Sequence, residues 1–417
     1  MIPVSTKLSA QAILAIAAAA LGYFVDIYDL WIFNVLRVTS IKGLGFSSDE
    51  QVKHFGELLI NCQMGGFLIG GFLFGVLSDK KGRLATLFGS ILLYSAANIA
   101  NGFVTTIDAY VVCRVLAGVG LAGELGAGIA LVSELVPKAQ RGWATTVVAS
   151  IGVAGAVAAG LFGQFHGQEW RLGYFIGGGM GVALLLLRLG VLESGMFNEL
   201  IERQDVRRGD FRTLFGSADR IKRYLAAIFI GLPVWYFSAL YQTFSPELQK
   251  GLHTIDPAKA PEIILFSSIG LTLGDVFFGG LSQLLKSRRT AIFIAYITMI
   301  ASIIGIYTLG TDRTLFIYFM IAGGFGAGFW AVFATTAGEA FGTNIRGTVA
   351  ITAPCIVRGM VIPMTILRGV LSGPLGIIGA TQAIGVAVLL LAGAALVAMP
   401  ETYGRDLDFI ESDSTNG

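Results

Sequence analysis

The chain has 417 residues, 54% of them hydrophobic and 13% charged, with 29 Lys and Arg against 27 Asp and Glu. Soluble domains carry about 25% charged residues, so the composition excludes that class. Apolar runs of about 20 residues, the length a helix needs to span hydrocarbon, recur along the sequence and place it among polytopic α-helical membrane proteins.

The runs predict helices over residues 10–38, 55–78, 84–104, 109–136, 142–165, 171–191, 223–246, 261–285, 290–309, 313–341, 347–371 and 375–399, twelve spans in two sets of six. The first run follows Lys7 and imitates a signal peptide, but it continues past Asp26 and Asp29 to Val38, so it reads as an uncleaved helix. Cys62, Cys113 and Cys355 lie inside apolar runs at no metal-ligand spacing, which argues against a disulfide framework. Between the two sets, the charged stretch 192–222 is too short to build a core and reads as a surface connector. The expected organisation is a bundle over 1–191, this connector, a second bundle over 223–400 and a tail over 401–417.

Basic residues set the expected orientation. Lys80, Lys81, Arg83, Lys138, Arg141, the connector, Lys286, Arg288, Arg289, Arg346 and Arg405 fall on one side. Only scattered ones, such as Lys42, Lys53, Lys250, Lys259 and Arg313, fall on the other. Both termini are therefore expected in the cytoplasm of a plasma membrane, the inner membrane of a bacterium.

The halves echo each other, as many transporter folds require. Glu134 followed by Arg141-Gly142 recurs as Glu339 followed by Arg346-Gly347, and Gly75-Val-Leu-Ser recurs as Gly279-Gly-Leu-Ser. In the second copy Gln283 stands where Asp79 would be. Gly75, Leu77, Ser78, Asp79, Gly82 and Arg83 match the turn between helices two and three of the major facilitator superfamily of transporters, and the whole chain resembles that family. The resemblance implies an all-α membrane fold of twelve transmembrane helices in two pseudo-symmetric six-helix bundles. It also implies alternating access, and gating by charges at helix ends that pair in one state and part in the other. Asp79, Arg83, Glu134, Arg141, Glu339 and Arg346 fit that role. So do Glu193 and Glu401, whose segments resemble motifs of sugar porters and metabolite:proton symporters; Gly195 stands where the first of those motifs has proline.

Ionisable groups at bilayer depth mark function. Asp26 and Asp29 are three apart on one helical face, where desolvation and repulsion favour proton uptake; the segment resembles the Asp-x-x-Asp of phosphate:proton symporters. Glu124 follows Ala122-Gly123 in a glycine-rich fourth helix resembling the Gly-Gly-Glu of metabolite:proton symporters. Asp26, Asp29 and Glu124 are thus the proton-coupling candidates, the proton being the coupling ion and no other cofactor being implied. Arg114 is expected to pair with a helical carboxylate or to act in function. Arg358 falls in mid-helix between Pro354 and Pro363 and needs an anion, either a protein carboxylate, with Asp275 in the eighth helix the obvious partner, or a substrate. Arg37 and Arg368, near the opposite helix ends, are expected to snorkel to the interface. Tyr28, Gln63, Asn98, Trp235, Tyr236, Tyr241, Gln242, Asp275 and Arg358 are the candidates for solute contact.

The fifth helix lacks the Gly-Pro motif typical of antiporters in the superfamily, which favours symport. The expectation is proton-coupled uptake of a small organic anion or related metabolite by a chain that works as a monomer in the lipid bilayer. Phosphate fits poorly, since no lysine lies within the second-half helices. Two rivals remain: a proton-driven exporter of cations or drugs, and a transporter-like receptor that binds without carrying. No nucleophile, metal cluster or nucleotide loop points to an enzyme, and no basic surface points to nucleic acid.

Overall fold

The computed structural model describes residues 10–81, 83–123, 141–193, 214–405 and Glu411. The first half contributes α1 (Ala10–Gly43), α2 (Asp49–Lys81), α3 (Arg83–Phe103), α4 (Ile107–Leu121), α5 (Arg141–His166) and α6 (Trp170–Glu193). The second half begins with α7 (Ala218–Phe237), which runs on through a π-helical turn at Ser238–Thr243 into the short α8 (Ser245–Gly251). It continues with α9 (Ala260–Leu284), α10 (Arg288–Leu309), α11 (Arg313–Ala327), α12 (Trp330–Glu339), α13 (Thr343–Gly359) and α14 (Val361–Ala398). The two rows of α11 and α12 make one pass. Helix α14 holds the end of one pass and all of the next, because Gly376 at φ 68 breaks it. The chain is therefore all-helical with twelve passes, six in each half.

Turn chemistry ends the helices where polarity returns. Thr106, Ser287 and Asp312 each accept a backbone N–H of the helix they precede, those of Ala109, Thr290 and Leu315 respectively, satisfying donors that the first helical turn leaves open. Large apolar side chains such as Leu92, Phe165, Leu186, Leu284 and Val397 stay exposed around the outside. In a membrane this surface meets lipid, so its exposure costs nothing.

Inside each half, small residues let backbones touch, the usual solution where lipid offers no hydrophobic drive to pack helices. A Cβ on Gly118 of α4 would lie 2.1 Å from the Gln63 carbonyl oxygen of α2, and one on Gly66 would lie 2.3 Å from that of Val115. The second half repeats the device between α9 and α11, where a Cβ on Gly270 would sit 2.1 Å from the Ile321 carbonyl and one on Gly324 2.0 Å from that of Ser267. These equivalent pairs are the pseudo-symmetry of the sequence made visible in packing.

Two breaks interrupt long apolar runs. The run 313–341 is interrupted at Gly328–Phe329, where Gly328 presses its backbone on Leu271 and Asp275 of α9. The other run, 347–371, is interrupted at Met360, ahead of Pro363. Both breaks free backbone groups beside buried polar side chains, which is where irregular backbone at membrane depth is tolerated.

Candidate functional site

Arg358 of α13 is 3% exposed, at the centre of the bundle. Its guanidinium carbon lies 4.9 Å from the ring centre of Phe67 on α2, 5.6 Å from Trp235 on α7 and 5.5 Å from Trp330 on α12. Trp235 and Trp330 meet edge to face with centroids 6.3 Å apart, so the three rings form a π-walled cage drawn from both halves. Tyr23 of α1, whose hydroxyl borders the Trp330 indole, lies in the field of Arg358, Asp275 and Asp26.

Of the two anions open to Arg358, Asp275 is not in an ion pair with it among the described residues. Asp275 turns its Oδ1 to the backbone N–H of Ala331 at 2.9 Å, capping α12 where that helix restarts after the break. Its Oδ2 is buried without a hydrogen-bond partner among the described residues. Arg358 makes no ion pair among the described residues, and its Nε is buried without a hydrogen bond. Among the described residues this buried cation is held by aromatic faces, with no carboxylate paired to it.

Two side-chain amides sit in the same condition. Gln63, one helical turn from Phe67, and Gln242, two turns from Trp235, are both fully buried with amide oxygen and nitrogen unpartnered among the described residues. By contrast, Tyr236 and Tyr241 use their hydroxyls within the second half, in a chain from the Thr381 carbonyl through Tyr236 and Tyr241 to Tyr307. The structure therefore places Arg358, Trp235, Gln63 and Gln242 as open groups, and Tyr236 and Tyr241 in a closed network of their own.

A second buried polar centre lies wholly in the first half. Asp29 of α1 is fully buried against α6, where Gly177 has no side chain to obstruct it. Arg114 of α4 is the cation acting on it, and the Asn98 amide of α3 lies beside it. Arg114 donates to the Asn98 Oδ1 at 2.8 Å and stacks over Tyr174, Phe33 and Tyr110. Tyr28 borders the same Gly177 with its ring and donates its hydroxyl to the Gly173 carbonyl. Asp26 is buried one turn from Asp29. Glu124 lies outside the described residues.

At the end of the bundle that carries the basic turns, Glu339 pairs with Arg288 at 3.1 Å rather than with Arg346, which instead donates to the carbonyls of Gly338 and Phe341. Glu401 accepts from the Ser287 hydroxyl at 2.6 Å and from the backbone N–H groups of Arg288 and Arg289. It thereby caps α10 at the positive end of its dipole. Burial pushes the Glu401 carboxyl up, and these donors outweigh that and hold it below the ordinary value. Glu134 lies outside the described residues, as do the side chains of Asp79, Arg83, Arg141 and Glu193.

The opposite end was misread from the sequence. Arg37 and Arg368 do not snorkel: both are almost wholly buried and each crosses between the halves. Arg37 of α1 makes a two-pronged pair with Glu247 of α8 at 2.8 and 2.9 Å, and Arg368 of α14 pairs with Glu57 of α2 at 2.7 Å. Snorkelling relieves a charge that faces lipid; these two face carboxylates, which relieve it in place.

Comparison with known proteins agrees with this architecture. Residues 19–353 match the family described as Major Facilitator Superfamily. The chain belongs to that superfamily. It is 25% identical to the gentisate transporter of Corynebacterium glutamicum over 93% of this chain and 89% of that one. It is 26% identical to the 3-(3-hydroxy-phenyl)propionate transporter of Escherichia coli over 74% and 73% of the respective chains. The fold is that of the proton:xylose symporter XylE, solved with 6-bromo-6-deoxy-D-glucose, with a TM-score of 0.73, 16% identity and coverage of 96% and 98%. The superfamily member described here is thus a multi-pass membrane transporter of small solutes and not an enzyme.

Proposed function

We propose that this transporter takes up a small aromatic carboxylate together with a proton. The observation that carries the proposal is Arg358: a buried guanidinium without an ion pair among the described residues, walled by Phe67, Trp235 and Trp330. A guanidinium binds carboxylate through two parallel N–H donors, and the rings offer a flat solute π surface to stack on. Gln63 and Gln242 supply further donors and acceptors for polar substituents. The substrates for which the two relatives are named, gentisate and 3-(3-hydroxy-phenyl)propionate, are aromatic carboxylates with ring hydroxyls and support the same class.

Asp29 is the first proton site in this reading, with Asp26 and Glu124 as further members. A proton on Asp29 removes the counter-charge of Arg114, so the two protonation states favour different arrangements of α1, α3, α4 and α6. Coupling follows if the solute and the proton favour the same arrangement. Residues 1–191 and 223–400 then move as two bodies about the solute, joined by 192–222, with the tail 401–417 and the N-terminus in the cytoplasm. The basic end, where Asp79, Arg83, Glu134, Arg141, Glu193, Glu339, Arg346 and Glu401 cluster in the sequence, faces the cytoplasm of the inner membrane. One chain contains the whole path.

Thermal stabilisation tests the substrate class, because a ligand of the folded state raises the melting temperature. The purified protein should be stabilised by hydroxylated benzoates or phenylpropionates and not by phosphate, sugars or organic cations. Stabilisation by organic cations alone would replace this reading with that of an exporter.

A further inference from the structure

The alternating-access reading needs a gate at the end opposite the basic turns, and at that end the described residues join the two halves by ion pairs, a hydrogen bond and close backbone packing. Helices α2 and α13–α14 run antiparallel in contact along several turns. Glu57 meets Arg368 at the end, the Thr365 hydroxyl donates to Asn61 Oδ1 at 2.7 Å further in, and Gly359 and Cys355 pack on Leu68 and Gly71 beyond. On the other flank α5 and α9 close with no room to spare, since a Cβ on Gly160 would lie 2.7 Å from the Leu265 Cα.

Phe244, at the junction of the π-helical turn and α8, is the pivot of this seam. It is fully buried, with the Arg368 guanidinium 3.9 Å from its ring centre and that of Arg37 4.7 Å from it. Arg37 comes from the first half and pairs with a carboxylate of the second; Arg368 comes from the second and pairs with one of the first. Arg37 also donates to the Thr243 carbonyl at 3.2 Å, tying α1 to the irregular turn itself. Burial pushes the Glu247 carboxyl up, while Arg37, with its hydrogen bonds, and Arg368 pull it further down, to below its ordinary value. The seam's third cross-half pair among the described residues, Lys250 with Asp49 at 2.9 Å, is exposed on both sides and adds little.

We infer that Arg37, Glu57, Glu247 and Arg368, stacked about Phe244, form a reciprocal charge clasp that locks the end opposite the basic turns and must part for the solute to pass there. Each half contributes one cation and one anion, so opening leaves neither face with net charge from these groups. Water entering the opened mouth solvates all four. Closing buries them again only if both pairs re-form together, because one pair alone would leave a desolvated charge beside the Phe244 ring. The clasp therefore acts as a two-state element. Its fully closed form occludes the Arg358 cage from that side.

The clasp rests on the transport reading but not on the solute's identity, and its first test needs no solute. Spin labels on Thr105→Cys and Ile255→Cys, exposed at that end of the first and second halves, report the gap between them in protein whose Cys62, Cys113 and Cys355 are replaced by alanine. The parent should show one short-distance population. Adding Glu57→Gln with Glu247→Gln should raise the longer-distance population at least tenfold, and an unchanged distribution in that folded variant would overturn the clasp. Should the neutralised variant fail to fold, Asp49→Cys and Lys250→Cys joined by a short bis-maleimide hold the same end shut with the clasp intact. Cross-linking should then abolish transport across the membrane while solute binding from the basic end persists. Undiminished transport through fully cross-linked protein would overturn the inference, whereas loss of binding in the uncross-linked parent would count against the aromatic carboxylate alone.

Discussion

Arg358→Gln gives the sharpest separation between a structural and a substrate-binding arginine. Arg358 is 3% exposed, hydrogen-bonded through no nitrogen among the described residues, and its guanidinium is held by three ring faces at 4.9, 5.6 and 5.5 Å. Each such ring contact returns about 0.5–2 kcal/mol, while the effective cost of desolvating one ion is several kcal/mol, so the two nearly cancel. Replacing Arg358 by Gln should then leave the melting temperature of the empty protein unchanged or higher. Binding should fall, because a charge-assisted pair to a carboxylate is worth roughly 1.5–3 kcal/mol. That loss weakens Kd by about 10- to 150-fold. Arg358→Lys keeps the charge but not the planar fork and should fall between. Titration calorimetry with the aromatic carboxylate that best stabilises the wild-type protein measures both variants, and thermal melts without ligand provide the second axis. An Arg358→Gln protein that melts well below wild type yet binds the carboxylate with unchanged Kd would refute the reasoning and make Arg358 a structural residue.

Other perturbations probe the remaining links. Asp29→Asn fixes the centre at Arg114 in its uncharged form, so solute exchange between equal pH compartments should continue while accumulation driven by a pH gradient is lost; counterflow and uptake in vesicles separate the two. Gly118→Ala places a Cβ 2.1 Å from the Gln63 carbonyl, a backbone contact that cannot turn aside, and should destabilise the protein by about 1–3 kcal/mol, read as a lower melting temperature. Glu401→Gln should lower the melting temperature at neutral pH. Because the folded carboxyl sits below its ordinary value, its contribution is complete above the ordinary carboxylate range and is lost as pH falls through the folded value. The gap between wild type and Glu401→Gln should therefore close in acid and stay constant from about pH 6 upward.

The membrane class and the twelve passes were legible because a helix that crosses hydrocarbon must be both long and apolar, a property of each segment by itself. Arg358 was legible for the same reason, as a charge in mid-helix. What surrounds it was legible only in part: Trp235 was among the candidates, but Phe67 and Trp330 come from other helices far apart in sequence, and aromatics are too common in apolar runs for those two to stand out. Arg37 and Arg368 show the limit more clearly. Position along a helix fixes depth in the membrane but not the face, so the same residues read as lipid-facing until Glu247 and Glu57 are seen opposite them. The role of Asp275 was hidden in another way. Its partner is the backbone of Ala331, exposed by a break at Gly328 that a continuous apolar run conceals. Glu339 stood out as a helix-end charge, but nothing in the sequence pointed to Arg288 as the residue that pairs with it.

The central claim is coupled uptake, and reconstituted vesicles test it most directly. With the aromatic carboxylate outside and the external medium one pH unit more acid than the lumen, symport of one proton with one monoanion should concentrate the solute up to about tenfold, since one unit is worth 1.36 kcal/mol. A protonophore should abolish that accumulation, and Arg358→Gln should slow the uptake at low solute concentration in proportion to its weaker binding. Uptake that merely equilibrates whatever the pH gradient, or transport of an organic cation in place of the carboxylate, would contradict the account.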